Sequence, residues 1–167
     1  MIQVDDSGWG SLLGGVMIGV YDTDRRKMKT KLIPMSYFQG SKWKSALYRD
    51  KAKDLFVDMW KSMGEQRFLR VCRGTVLDDI YLYLINKGIP LDQVQRIEIT
   101  DPFQSMLEEK FAQSLMKIGV PRKTTGAHCL SFEDALEWVK ENPKRVKYVK
   151  TGWNSWKVKY SKQMNLK

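Results

Sequence analysis

Residues 15–21, Gly-Val-Met-Ile-Gly-Val-Tyr, form a nearly unbroken apolar run. The run is far shorter than the roughly 20 residues of a membrane helix. It also lacks the apolar–polar alternation of a half-exposed strand, so it reads as a strand covered on both faces. Such a strand belongs inside a sheet that carries helices on its two sides.

The flanking sequence supplies them. Ile2 to Asp6 reads as a first strand, and Met28 to Pro34, after the polar turn Asp22-Thr23-Asp24, as a third. Short connections between the three predict an antiparallel meander. The period then changes. Trp43, Leu47, Leu55, Phe56, Met59, Trp60 and Met63 recur at helical spacing and Gly64 offers a stop. Phe68–Cys72 reads as a fourth strand, ending at Arg73-Gly74. Thr75 is positioned to cap a helix that carries Val76, Ile80, Tyr81 and Leu84 and stops at Gly88. Val94–Thr100 reads as a fifth strand. Asp101-Pro102-Phe103-Gln104 carries a helix-start signature, with Asp101 as cap and proline at the first helical position. Phe103, Met106, Leu107, Phe111, Leu115 and Ile118 make the apolar face of that helix, which stops at Gly119. After a loop over 119–130, Ser131 opens a last helix with Phe132, Ala135, Leu136 and Val139 inward. Residues 144–160 alternate basic with apolar residues around Gly152-Trp153-Asn154-Ser155, a pattern that predicts a hairpin. The expected fold is α/β: one domain, with a mixed sheet of about five strands flanked by helices over residues 1–118 and a basic helix-plus-hairpin extension over 119–167.

A chain of 167 residues is long enough to bury a core without staples. Its 43% hydrophobic content excludes a disordered or collagen-like polymer. No stretch is apolar enough for a membrane span, and the first residues lack the basic lead-in of a secretory signal. Cys72 and Cys129 are too far apart for a CxxC site and are expected reduced, buried and structural. A cytoplasmic protein is expected. The net charge of +10 is concentrated at one end, because residues 140–167 hold nine Lys or Arg against the single acid Glu141. Clustered positive charge suits a polyanion, above all nucleic acid; the alternative is a solubilising tail.

Candidate chemistry lies at Asp5-Asp6-Ser7-Gly8-Trp9-Gly10, where two adjacent carboxylates close the first strand ahead of a glycine turn. An acid pair at a strand end suits a metal, a proton transfer or a nearby phosphate. In a regular strand, however, neighbouring side chains point to opposite faces, so the two acids converge only if the strand breaks there. The plain alternative is that Asp6 and Ser7 serve the turn and Asp5 pairs with a cation such as Arg73. The motif resembles that of type 2 ribonuclease H, whose first strand ends Asp-Glu-Ala-Gly-Arg-Gly and leads into a glycine-containing second strand. The element order, too, is that of the ribonuclease H-like fold. The resemblance implies cleavage of RNA in hybrid or chimeric duplexes with Mg²⁺ or Mn²⁺ held by four carboxylates. It assigns Asp5 and Asp6 to the first two acids, as metal ligands, and Gly8 and Gly10 to contacts with the substrate backbone. Asp6 is one methylene shorter than the family's glutamate, Trp9 replaces its arginine, and Arg73 stands where a third acid is expected. Asp101, at the end of the fifth strand, and Asp78-Asp79 are candidates for the missing acids; the helix cap accounts for Asp101, the first helical turn for Asp78 and solvent for Asp79. Glu108 and Glu109 read as helix-surface charges.

The remaining candidates are binding residues. His128 beside Cys129 offers two ligands where structural zinc wants four, and no glycine spacing forms a Walker loop. Trp153, Trp156, Tyr148 and Tyr160 interleave with Lys144, Arg145, Lys147, Lys150, Lys157 and Lys159. That mixture suits single-stranded nucleic acid, with lysines on phosphates and rings on bases; it suits equally an amphipathic hairpin packed on the sheet. Trp9 reads as the aromatic most open to a ligand, Arg73 as a further nucleic-acid contact, and Trp43 and Trp60 as core. The expected function is a nucleic-acid-acting ribonuclease H-like protein, either a divalent-metal nuclease or a non-catalytic nucleic-acid or ribonucleoprotein module with a degenerate acid set.

Overall fold

The computed structural model describes residues 1–65, 68–122, 130–154 and 156–160. Its centre is an open mixed sheet of five strands in the order β3-β2-β1-β4-β5, where β1 is Ile2–Ser7, β2 Val16–Asp22, β3 Lys27–Ile33, β4 Leu69–Cys72 and β5 Val94–Ile97. The first three form the antiparallel meander, and β4 and β5 run parallel to β1. Every residue of β2 is buried, as its apolar run requires.

Five helices cover the sheet: α1 Gly40–Lys44, α2 Leu47–Lys61, α3 Asp78–Asn86, α4 Phe103–Met116 and α5 Phe132–Lys140. On one face, Phe56, Met59 and Trp60 of α2 and Ile80 and Leu84 of α3 pack on Ile2, Val4, Ile18, Val20 and Val71. On the other, Phe103, Leu107, Phe111 and Leu115 of α4 pack with Met17 and Tyr21, and α5 adds Leu136, Trp138 and Val139. Gly19 is what lets α4 lie on the sheet. A Cβ there would sit 2.7 Å from Leu107 Cδ1 and 2.9 Å from Phe103 Cζ. Among the described residues no helix is long and apolar enough to cross a membrane.

Several local expectations are corrected. The stripe from Trp43 to Met63 is two helices, because Ser45 and Ala46 break the turn and Ala46 takes a left-handed φ of 51°. Trp43 consequently lies on a separate short helix and is half-buried rather than core. Thr75 caps nothing; it opens a 3-10 turn, Thr75–Leu77, that leads into α3. Pro102 takes the cap position of α4, and Asp101 acts from one residue earlier, its Oδ1 accepting the Ser105 backbone N–H at 3.1 Å.

Among the described residues the expected C-terminal hairpin is not formed. Asn142 caps a 3-10 helix, Pro143–Tyr148, by accepting from the Lys144 backbone N–H, and a single π turn covers Trp156–Tyr160. Between them Val149 makes an isolated bridge to Leu13. The alternation predicts strands, but tertiary burial selects Val149, Lys150 and Trp156, which enter the protein interior at 0%, 0% and 4% exposure. Leu136, Trp138, Val139, Val149 and Trp156 thus belong to the second core. His128, Cys129 and Ser155 lie outside the described residues.

Gly19→Ala is expected to destabilise the protein by about 1–3 kcal/mol in urea unfolding, because α4 must lift from the sheet to admit one methyl group.

Candidate functional site

The parallel pairing of β1 with β4 stops at Val4–Val71, while β1 runs on against β2 as far as Ser7. The end of β1 therefore stands beside the β4 terminus, Cys72-Arg73-Gly74. In an open sheet, such carboxyl ends are where ligand-facing groups collect.

Cross-strand partners share a face, so their surroundings show where each acid points. Asp5 is opposite Gly19, over which α4 lies, and Asp6 is opposite Ile18, which faces α2 and α3. The strand does not break, and the pair is split between the two faces. Asp5 is buried, at 6% exposure; one of its oxygens accepts the Asp6 backbone N–H at 2.8 Å. Burial raises its pKa, against the lowering effect of hydrogen bonds from the Cys72 thiol and the Asp6 N–H, and the charge of Glu108 adds to the rise. Burial and the Asp5 hydrogen bond push the Cys72 thiol up to about 11, so it stays protonated and donating. Asp6 lies against Gly74, where a Cβ would be 2.6 Å from its Oδ1. Burial, then the charge of Asp5, raises its pKa to about 7, against a lowering pull from Lys150.

Lys150 was a candidate phosphate ligand. It is instead fully buried, and its Nζ donates to the carbonyls of Gly8 at 2.8 Å, Ser11 at 2.6 Å and Leu13 at 3.3 Å. An ammonium has three donors, which suffice for these three acceptors. The rings of Phe38, Phe111 and Trp153 stand within 5.6–6.0 Å of it. The expected pairing of Asp5 with Arg73 does not form. Arg73 is exposed and donates to the Arg96 carbonyl at 3.3 Å.

The other expected site residues scatter. Asp101 is exposed and engaged with Ser105. Asp78 pairs with Arg96 at 3.0 Å, and Asp79 with Arg49. Gly8, at φ 91°, would drive a Cβ to 2.3 Å from Phe111 Cζ, so its glycine serves the turn and the packing of α4; Gly10 is open. Trp9 is half-buried and packs on Tyr48 at 5.3 Å, Trp43 at 5.9 Å and Phe38 at 6.3 Å. Trp156 is core, Trp153 is half-buried, and Lys147 and Lys157 are exposed. Sequence reasoning left Glu108 on the helix surface. It is half-buried and acts on Asp5, because α4 crosses the Asp5 side of the sheet. Helical spacing carries a hint of this, since Glu108 follows the inward Leu107.

Mg²⁺ or Mn²⁺ requires oxygen ligands converging on one point. Asp5 and Asp6 point to opposite faces, Lys150 supplies positive charge beside Asp6, and among the described residues no group of three or more His, Cys, Asp or Glu is arranged to hold a metal. These residues do not fit a two-metal centre. Comparison of the chain with family models, curated proteins and solved structures finds no match.

Two outcomes are expected. Lys150→Met takes a donor from three carbonyls, two of which keep a bond from Ser11, and should cost about 3 kcal/mol in urea unfolding. Asp6 is favoured neutral in the folded protein, so its contribution is fully present below pH of about 4 and is lost as pH rises through about 7. Asp6→Asn should accordingly flatten stability over that window and gain about 2 kcal/mol at pH 8, roughly half the unscreened linkage value.

Proposed function

We propose that this chain is a nucleic-acid-binding module of ribonuclease H-like architecture that does not cleave its ligand. The strand order β3-β2-β1-β4-β5, with a meander followed by two parallel strands, is compatible with that architecture. The observation that carries the non-catalytic reading is the split of Asp5 and Asp6 across an unbroken β1. A nuclease would need those carboxylates on one side, sharing an ion with a scissile phosphate. Here Asp5 is tied to Cys72 and Asp6 is packed under Gly74. Nucleic acid as the ligand is supported by the net charge of +10, much of it on exposed lysines of the C-terminal segment.

The reading is tested by titrating labelled RNA, DNA and hybrid duplexes with the wild-type protein and Asp5→Asn, with and without Mn²⁺ or Mg²⁺. Binding that weakens steeply with salt, is equal in the two proteins and leaves the ligand intact is the expected outcome. Metal-dependent cleavage that is lost in Asp5→Asn would overturn the non-catalytic reading. Absence of binding to every nucleic acid would overturn the ligand class.

A further inference from the structure

Two acid-free stretches distant in sequence lie side by side in the fold. Residues 25–49 contain no Asp or Glu, and neither do residues 142–167. Hydrogen bonds tie the first to the second: Gln39 Nε2 donates to the carbonyls of Lys147 at 3.2 Å and Val149 at 2.8 Å, and the Gly152 backbone N–H donates to the Phe38 carbonyl at 3.0 Å. Gly152 also lies directly on Trp43, where a Cβ would meet the indole Cγ at 2.3 Å. The short helix α1, Gly40–Lys44, and the 3-10 segment Pro143–Tyr148 are therefore neighbours.

Their lysines are placed alike. Lys42, Lys44, Lys144 and Lys147 are all exposed, and among the described residues no carboxylate pairs with any of them. Arg145, in the same segment, is by contrast held by Glu141 at 2.8 Å and by the Trp138 carbonyl at 2.6 Å. The nearby rings are not free platforms. The Lys42 amine lies 4.6 Å from the centre of the Tyr37 ring and the Lys147 amine 4.9 Å from that of Tyr148. Trp43 is packed on Tyr48 at 5.2 Å, and Trp156 is 4% exposed. Stacking on bases needs an open ring face. What this surface offers is ammonium groups, which recognise phosphate.

We infer that Lys42, Lys44, Lys144 and Lys147 form one composite site for the phosphate backbone of nucleic acid, read without regard to base. The inference rests on the nucleic-acid reading above and assigns it a location, half of it on α1, far in sequence from the basic C-terminal segment. It also replaces base stacking with phosphate contact as the mode of binding. Each lysine–phosphate contact releases condensed counterions, so the logarithm of the binding constant falls with the logarithm of salt by about 0.9 per contact on duplex DNA and about 0.7 on single strands.

The experiment measures fluorescence-anisotropy binding of a labelled duplex DNA, in two unrelated sequences, and of one of its single strands, between about 50 and 200 mM salt. The test variant combines Lys42→Gln, Lys44→Gln, Lys144→Gln and Lys147→Gln. A control of equal charge combines Lys27→Gln, Lys61→Gln, Lys110→Gln and Lys117→Gln, all at exposed positions. Circular dichroism melts check that both retain the fold. The expected result is a duplex salt slope shallower by about 3.6 in the test variant, little change in the control, and equal affinity for the two sequences. Wild-type binding with equal slopes in test and control overturns the inference while leaving the nucleic-acid reading in place. So does a marked preference for one sequence, or for the single strand with quenched tryptophan fluorescence. No wild-type binding overturns both.

Discussion

The end of the sheet depends on one buried cation. Removing an ammonium from water costs several kcal/mol, and the cost is recovered only where polar partners replace the water. Lys150 finds them in the carbonyls of Gly8, Ser11 and Leu13, of which those of Gly8 and Leu13 also accept from the Ser11 backbone N–H and hydroxyl. The same bonds fix the Gly8–Leu13 connection. They also bring the chain around Val149 against it, where the Lys150 backbone N–H bonds the Leu12 carbonyl and the Gly14 N–H bonds the Tyr148 carbonyl.

That anchor has electrostatic consequences. Asp6, raised by burial and by Asp5 more than Lys150 lowers it, is favoured neutral, and Asp5, on the far face, turns to the Cys72 thiol. Two carboxylates that look like a ligand pair become two separate devices at the end of one strand. The same anchor places the C-terminal segment beside α1 and so gathers lysines that no stretch of sequence shows together. Acid chemistry and basic surface are thus coupled through a residue that takes part in neither.

Recognition of a polyanion by such a surface would be electrostatic, with affinity set by the number of phosphates met and by the salt. The aromatic residues that suggest base stacking are used elsewhere. Trp9, Trp43, Tyr48 and Phe38 form a half-buried cluster at the flank of the first core, and Trp156 closes the second. Binding by charge with little base selection fits a module that holds nucleic acid rather than one that processes a defined sequence.

Much of the framework is legible from residue order alone. The apolar run of β2, the meander around it, the stripes of α2 and α4 and the Ser131 cap of α5 follow from periodicity and capping, which are local. Periodicity misleads where burial depends on distant partners. The alternation after Asn142 has the period of a strand, yet Lys150 is drawn inward by carbonyls up to 142 residues away, and no hairpin forms among the described residues. The acid motif is visible at once, and so is the rule that adjacent strand side chains diverge. Whether the strand breaks after Asp5 was left open by residue type, and it is decided by pairing of β1 with β2 through Ser7. Sequence by itself determined the layers of this protein, because helices and strands are selected by short-range pattern. Only the tertiary structure decided which charges meet, because Lys150 with Gly8, Glu108 with Asp5, and α1 with the C-terminal lysines come together through packing between segments far apart in the chain.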